Sequence, residues 1–280
     1  MRWPAYKHVF FDCDSTLTTI EGIDALAEAS GKSWRIGVLT EAAMNGEVDL
    51  EEVYAKRLQA LKPTRGQIQT IRKIYKKNIV PDAVEVVAAL QYLNHQLYIL
   101  SGGLAEPVIE FGRFLGVPLD HIRAVNVEYD QLSGEWWQQI NYEQPNVSER
   151  LLSYPSDSLT VSDGKAQIVG DFLGDQMGRS LFVGDGVSDL LASRAVDLFV
   201  GFGGVVTRSR VQSEAPVFIN SHSLAPLLAI AAGPANLASL EGSDYQDVAE
   251  KAKILINQGA ISFQSEELND KFDKAWQAAY

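Results

Sequence analysis

Apolar positions along this chain follow two rhythms. Short unbroken runs occur at 9–11 (VFF), 96–103 (QLYILSGG), 180–186 (SLFVGDG), 197–204 (DLFVGFGG) and 216–220 (PVFIN). Their length and bulk predict strands buried on both faces. Between residues 21 and 78 the period lengthens to that of helices. IDALAEAS (23–30), WRIGVLTEAAM (34–44, stopped by Asn45-Gly46), DLEEVYAKRLQAL (49–61, capped by Asp49 and followed by Pro63) and residues 64–77 give four helices in a row. Further helices are predicted from Pro81 through Leu90, and at 104–115, 162–176 and 191–195. The alternation at 125–140, broken by Ser133-Gly134, predicts a β-hairpin.

Strands alternating with helices imply an α/β fold with a Rossmann-like parallel sheet. The four-helix block interrupts it after the first strand. The expected organisation is a catalytic core of residues 1–20 and 79–232, a helical cap of residues 21–78 that sets specificity, and a helical C-terminal extension of residues 233–280. Hinging is expected at the two tethers near 19–22 and 78–81. Sites in such sheets lie beyond the carboxyl ends of the strands. Asp12 and Asp14 follow the first strand, Ser101 the second and Asp185 the next.

Composition narrows the function classes. Of 280 residues 46% are apolar, enough for one large core, and the formal net charge is −12. That balance argues against nucleic acid or an anionic membrane as partner. Cys13 is the single cysteine, so a disulfide framework is excluded and a reducing, cytoplasmic setting is expected. The longest apolar stretch near the end, LAPLLAIAAGPANLA, is broken by Pro226, Gly233 and Pro234, and is too short to span a bilayer. His8, His95, His121 and His222 lack ligand spacing, which speaks against zinc.

Four aspartates (12, 14, 185 and 189) converging on one edge would repel one another unless a cation lies between them. All-oxygen ligands favour Mg²⁺. Ser101-Gly102-Gly103 at a strand-to-helix turn offers a hydroxyl and free N–H groups to a phosphate, and Lys165 a compensating charge. A carboxylate with a metal and a phosphate at hand can attack phosphorus to form an aspartyl-phosphate, and a second acid two residues on can serve as acid and base.

Asp12-Cys13-Asp14-Ser15-Thr16, Ser101-Gly102-Gly103, Lys165 and Gly184-Asp185-Gly186-Val187-Ser188-Asp189 resemble the four motifs of haloacid-dehalogenase-type phosphatases, over roughly residues 8–230. DCDSTLTTIEGIDALAEASG and FVGFGG (199–204) are similar to the phosphoserine phosphatase branch of that superfamily. The resemblance implies Asp12 as nucleophile and Asp14 as acid/base. It implies Mg²⁺ on Asp12, the Asp14 carbonyl and Asp185, with Asp189 nearby, and phosphate on Ser101, Gly102 and Lys165.

Arg57 falls on the apolar stripe of helix 49–61, formed by Leu50, Val53, Tyr54, Leu58 and Leu61. A guanidinium there needs an anion, and its fork suits a carboxylate. Glu21 beside Gly22 suits an ammonium. Together they fit a zwitterion; the resemblance assigns these positions to substrate recognition, with Met44 packing either over the substrate or into the apolar core, and Ser188 is a further candidate substrate contact. The expected reaction is Mg²⁺-dependent hydrolysis of O-phospho-L-serine. The alternatives are another small phosphorylated metabolite, such as a sugar-alcohol or thiosugar phosphate, a phospho-receiver-like signalling module, and transfer to an alcohol other than water. Residues 134–161 make a longer excursion than the family usually carries, with Trp136 and Trp137 expected to pack in a hairpin. Leu50 stands where the family often has phenylalanine. The extension could cover the core or form a homodimer surface.

Overall fold

The computed structural model describes residues 3–44, 47–48, 50–134, 137, 145–154 and 158–280. In chain order β1 (His8–Phe11) is followed by α1 (Gly22–Ala29), α2 (Ser33–Met44), α3 (Leu50–Leu61), α4 (Arg65–Lys77) and α5 (Ala83–Tyr92). Next come β2 (Gln96–Leu104), α6 (Ala105–Phe114), β3 (Ile122–Val125), β4 (Glu128–Asp130), β5 (Arg150–Ser153) and α7 (Gly164–Leu173). β6 (Ser180–Gly184), α8 (Val187–Leu191), β7 (Leu198–Phe202), α9 (Ser209–Glu214) and β8 (Val217–Ile219) continue the α/β alternation. The chain ends with α10 (Leu227–Ala231), α11 (Pro234–Ala238), α12 (Gln246–Asn257), β9 (Ile261–Phe263) and α13 (Glu266–Ala279).

Among the described residues the main sheet has seven strands in the order β3-β2-β1-β6-β7-β8-β9. All pairings are parallel except β8 with β9. The chain leaves β1 toward β2 on one side and returns to β6 on the other, so strand order reverses at β1. That reversal opens a crevice at the strands' carboxyl ends. Phe11 is in register with Ile99 and with Val183, and the Asp12 N–H donates to the Val183 carbonyl at 3.0 Å. Asp12, Ser101 and Asp185, each a residue or two past these partners, therefore emerge side by side. Strand parity disposes of the residue between the acids. Val9, Phe11 and Cys13 enter one apolar layer and Phe10 the opposite one. Cys13 is fully buried.

The helical block after β1 has the four predicted helices. The N-cap of α4 is Thr64, in a capping box with Gln67, and its apolar face buries Ile68, Ile71 and Tyr75. The Asn45-Gly46 stop and the Asp49 cap lie outside the described residues. The two tethers meet: the Thr19 N–H and the Thr18 hydroxyl both donate to the Asn78 carbonyl, at 2.7 and 2.9 Å.

The long excursion adds a third tie that the two-tether expectation lacks. The Leu151 N–H donates to the Pro63 carbonyl (2.9 Å), that of Arg65 to Glu149 (2.8 Å) and that of Gly66 to Val147 (2.8 Å). Arg65 pairs with Glu106 of α6, and Glu110 with Arg72 and Lys76. α4 is thereby fixed to the core along its length. The strand β4 pairs antiparallel with β5 across a longer connection than the expected tight hairpin. Residues 135, 136 and 138–140, the second arm of that expectation, lie outside the described residues, Trp136 with them. Trp137 is mostly exposed.

The extension is mainly helical, as expected, but it also contributes β9 to the sheet edge. PVFIN is therefore not the last strand. Trp3 seals this end, its ring 5.1 Å from Phe272 and its indole N–H donating to the Ile230 carbonyl at 2.8 Å. No helix among the described residues is long and apolar enough to cross a membrane.

Candidate active site

The crevice at the strand ends is covered by the helical block, and one cavity lies between them. Its walls include Asp12, Asp14, Ser101, Gly102 and Lys165 from below, Ser188 from α8, and Glu21 and Arg57 from the cap side. The strand ends, the α7 lysine and two cap residues singled out by sequence thus converge. Met44 closes α2, but its side chain lies outside the described residues.

Lys165 is the electrostatic hub. Its Nζ donates to Asp12 Oδ1 at 2.6 Å and to Asp189 Oδ1 at 2.5 Å, with all three side chains buried. Burial works against the ammonium, yet the two carboxylates outweigh it and hold its pKa above the ordinary value. The hub position follows from chain geometry. Gly164 and Lys165 open α7, whose first turn faces the end of β1.

Asp12, Asp185 and Asp189 each place a carboxylate oxygen within 4.8 Å of the others. Burial, and then Asp189, push the Asp12 carboxyl well above the carboxylate range, with Lys165 pulling it back. Burial and Glu21 push Asp185 up to about 7, Arg208 opposing. Three buried acids with oxygen donors in such proximity fit a hard divalent cation, which would offset the negative charge gathered there.

Asp14 lies outside that group of three. Burial raises it to about 7, offset first by Tyr75. Glu21 is held by the Ser15 hydroxyl, which donates to Oε1 at 2.8 Å. Ser15 has φ 55°, the left-handed region, where a side chain costs about 1 kcal/mol or more. That turn aims its hydroxyl at Glu21 rather than along the strand. Burial, and then Asp14, raise Glu21 to about 7.

Arg57 is 2% exposed. Its Nη1 donates to the Thr40 hydroxyl at 3.2 Å, its guanidinium lies 5.5 Å from the Tyr54 ring, and its Nε has no hydrogen-bond partner. Among the described residues no carboxylate lies within ion-pair distance of it. Burial lowers its pKa against Tyr54, Glu21 and Asp24.

Ser101 accepts the Gly103 N–H at 2.9 Å within the last residues of β2, where the register with β3 shifts; the expected turn after the strand is therefore an irregularity inside it. A side chain at Gly103 would sit 3.1 Å from the Ser101 hydroxyl and 3.2 Å from Asp14 Oδ2, so glycine leaves the space between them open.

Sequence reasoning missed three neighbours. Arg208 is 4% exposed, and its Nε donates to Asp185 Oδ2 at 3.0 Å. Its Nη1 reaches Glu41 of α2 at 3.4 Å, joining core to cap. The Tyr54 hydroxyl donates to the Gly102 carbonyl at 3.0 Å, and Tyr154 of the excursion packs edge-on against its ring at 5.1 Å. Tyr75 of α4 lines the cavity beside Asp14. Arg208 and Tyr54 are linked to the motifs only through tertiary contact. Tyr75 had a legible signal, a polar tip on the apolar stripe of α4. The four histidines each meet a backbone carbonyl, through His8 Nε2, His95 Nδ1, His121 Nδ1 and His222 Nδ1. They sit as structural groups away from the acids.

Residues 9–194 match the family model of haloacid dehalogenase-like hydrolases. Phosphoserine phosphatase of Rattus norvegicus is 30% identical over 213 residues, covering 75% of this chain and 88% of that one. The chloroplastic phosphoserine phosphatase of Arabidopsis thaliana is 30% identical over 216 residues, 76% of this chain and 68% of its own. In fold, the chain is similar to a phosphoserine phosphohydrolase-like protein from Francisella tularensis, with TM-score 0.67 and 22% identity over 80% of this chain and 99% of that one. It is also similar to a substrate-bound phosphoserine phosphatase complex, with TM-score 0.65 and 20% identity over 80% and 97%. Motifs, fold and relatives agree: this chain belongs to the haloacid dehalogenase-like hydrolase family and is a phosphoric monoester hydrolase.

Proposed function

We propose that the protein hydrolyses O-phospho-L-serine to L-serine and phosphate through an aspartyl-phosphate on Asp12. The observation that carries this reading is Arg57, a buried guanidinium with an unpartnered Nε, lining the same cavity as Glu21 and the acid pair. A buried cation in that state awaits an anion. The substrate carboxylate supplies it, and Glu21 receives the ammonium. The phosphoryl group then falls between Asp12 and the Ser101–Gly103 segment.

Each chain residue has a task. The Ser101 hydroxyl and the N–H groups after it bind phosphoryl oxygens, and Lys165 offsets their charge while holding Asp12 in place. Asp12 attacks phosphorus, and Asp14 gives its proton to the serine oxygen. Asp14 then takes a proton from the water that releases phosphate. Ser188 at the start of α8 lines the substrate side. Asp12, Asp185 and Asp189, with the Asp14 carbonyl, would hold Mg²⁺, which when bound polarises the phosphoryl group. In this reading residues 21–78 are the specificity cap on a core of 1–20 and 79–232, and 233–280 an extension that braces the sheet edge. The enzyme works in the cytoplasm, as the single buried cysteine favours, on a small metabolite as its partner.

The test is phosphate release from O-phospho-L-serine, O-phosphothreonine, phosphocholine, sugar phosphates and an aryl phosphate, each with Mg²⁺ and with chelator. Strong preference for phosphoserine, abolished by chelator, is the expected result. Metal-dependent turnover concentrated on another ester would overturn the serine assignment and keep the mechanism.

A further inference from the structure

Tyr75 is fully buried, and its ring packs 5.4 Å from that of Phe111. A tyrosine hydroxyl in such a place requires a partner. The Tyr75 hydroxyl nevertheless completes no hydrogen bond, and neither does Asp14 Oδ1. Both atoms are shielded from solvent, and both residues line the one cavity. The hydroxyl lies directly over Gly22, where any side chain would collide with it. Asp14 Oδ2 is placed differently, toward Gly103 and Ser101. The Tyr75 hydroxyl is also the first influence that pulls the Asp14 carboxyl back down, which sets it beside that acid.

We propose that Tyr75 is a positioning residue for Asp14: its hydroxyl donates to Oδ1, which leaves Oδ2 as the oxygen carrying the transferable proton. The inference rests on the phosphatase reading above. When the Asp12 oxygen–phosphorus bond forms and the ester P–O bond breaks, the Oδ2 proton moves to the leaving oxygen. In the second step the attacking water forms its bond to phosphorus, the Asp12–phosphorus linkage breaks, and the water's proton returns to Oδ2. The tyrosine proton stays on Tyr75 throughout. Without that donor the acid can hold its proton on the wrong oxygen, facing away from the ester. Because α4 is the cap helix pinned to α6 by Arg65, Arg72 and Lys76, the positioning group sits on the fixed part of the cap.

Leaving-group dependence separates this role from a merely structural one. An alkoxide needs a proton as it departs, whereas p-nitrophenolate leaves as a stable anion. Tyr75→Phe keeps the ring and removes the one oxygen. Its kcat/KM on O-phospho-L-serine and on ethyl phosphate is expected to fall about tenfold or more, and on p-nitrophenyl phosphate less than about twofold. Gly22→Ala, which retains the tyrosine but displaces its hydroxyl, should show the same split, so the conclusion does not depend on one variant's folding. Equal loss on the alkyl and aryl esters, or unchanged ethyl phosphate turnover in folded Tyr75→Phe, overturns the role of Tyr75 alone. Ethyl phosphate carries no carboxylate, so the comparison survives a wrong serine assignment. Wild-type enzyme inert toward all three esters overturns the phosphatase reading and this proposal with it.

Discussion

Arg57→Ala separates substrate recognition from chemistry. The guanidinium is 2% exposed, donates to the Thr40 hydroxyl, and among the described residues has no carboxylate close enough to pair. A substrate carboxylate would be its counter-ion. A buried, charge-assisted pair whose loss strands the other charge is worth about 3–4 kcal/mol. At 1.4 kcal/mol per tenfold, binding of phosphoserine should weaken by roughly 10²- to 10³-fold. The substrate's carboxylate is remote from phosphorus, so the loss should fall mainly on KM, with p-nitrophenyl phosphate turnover nearly unchanged. Arg57→Lys keeps charge without the planar fork and should lie between. Stability should change little, because the same substitution removes an ion whose burial is uncompensated. The assay is steady-state phosphate release on both esters, beside thermal unfolding. Equal losses on both esters, or an unchanged KM for phosphoserine in a folded variant, would refute the clamp.

Asp12→Asn should lower kcat by about 10⁴-fold or more, and because Asp12 also belongs to the candidate cation triad, Mg²⁺ should stabilise the variant less than the parent; ordinary turnover in that variant would sink the mechanism. Chelation should abolish turnover, and added Mg²⁺ should restore it. Without divalent cation, Asp14 and Asp185 have folded pKa values of about 7, above those of the unfolded chain. The folded form then binds more protons than the unfolded one, so stability falls as pH rises from about 4 through 7. The unfolding temperature in chelator should drop between pH 5 and 7.5, and Mg²⁺ should raise it more at pH 7.5; a larger Mg²⁺ effect at pH 5 contradicts this. Glu51 accepts the Ser162 N–H and hydroxyl, both at 3.0 Å, tying α3 to the approach to α7. Glu51→Ala should cost about 1 kcal/mol of closure, read as a roughly fivefold rise in KM with smaller change in kcat.

What the sequence made legible was local. Asp12, Asp14, Ser101 and Asp185 were readable because each ends an apolar run, and strand ends in a parallel sheet share an edge. Arg57 was readable because helical spacing put a charge on an apolar stripe, and the structure buries it there. Arg208 was not, because nothing in VVTRSRVQ marks one arginine above another until β7 and α9 bring it against Asp185. The excursion's tie to α4 escaped for the same reason. It consists of backbone N–H groups meeting Pro63, Glu149 and Val147, and backbone hydrogen bonds leave no residue signature. At three residues β9 is shorter than any periodicity can reveal, and its place is set by β8 offering an unpaired edge.

Charge arithmetic joins these parts into one argument. Around Asp12 lie Asp14, Asp185 and Asp189, and among the described residues the buried cations paired with these acids are Lys165 and Arg208. A phosphate monoester dianion adds two more negative charges where repulsion already raises Asp12 and Asp185. Asp12, Asp185 and Asp189 would hold a divalent cation, which would offset that charge. Asp14 lies outside that triad and is free to keep its proton. In the proposed reading the zwitterionic end of the substrate meets Glu21 and Arg57, a pair of opposite sign that adds little net charge. Arg57 and Asp12 are thus set apart, whereas Glu21 couples the two ends of the cavity, since Asp14 raises it and it raises Asp185 in turn. The same division predicts that substitutions at Arg57 and at Asp12 act on different kinetic constants, and that the double variant combines their effects without compensation.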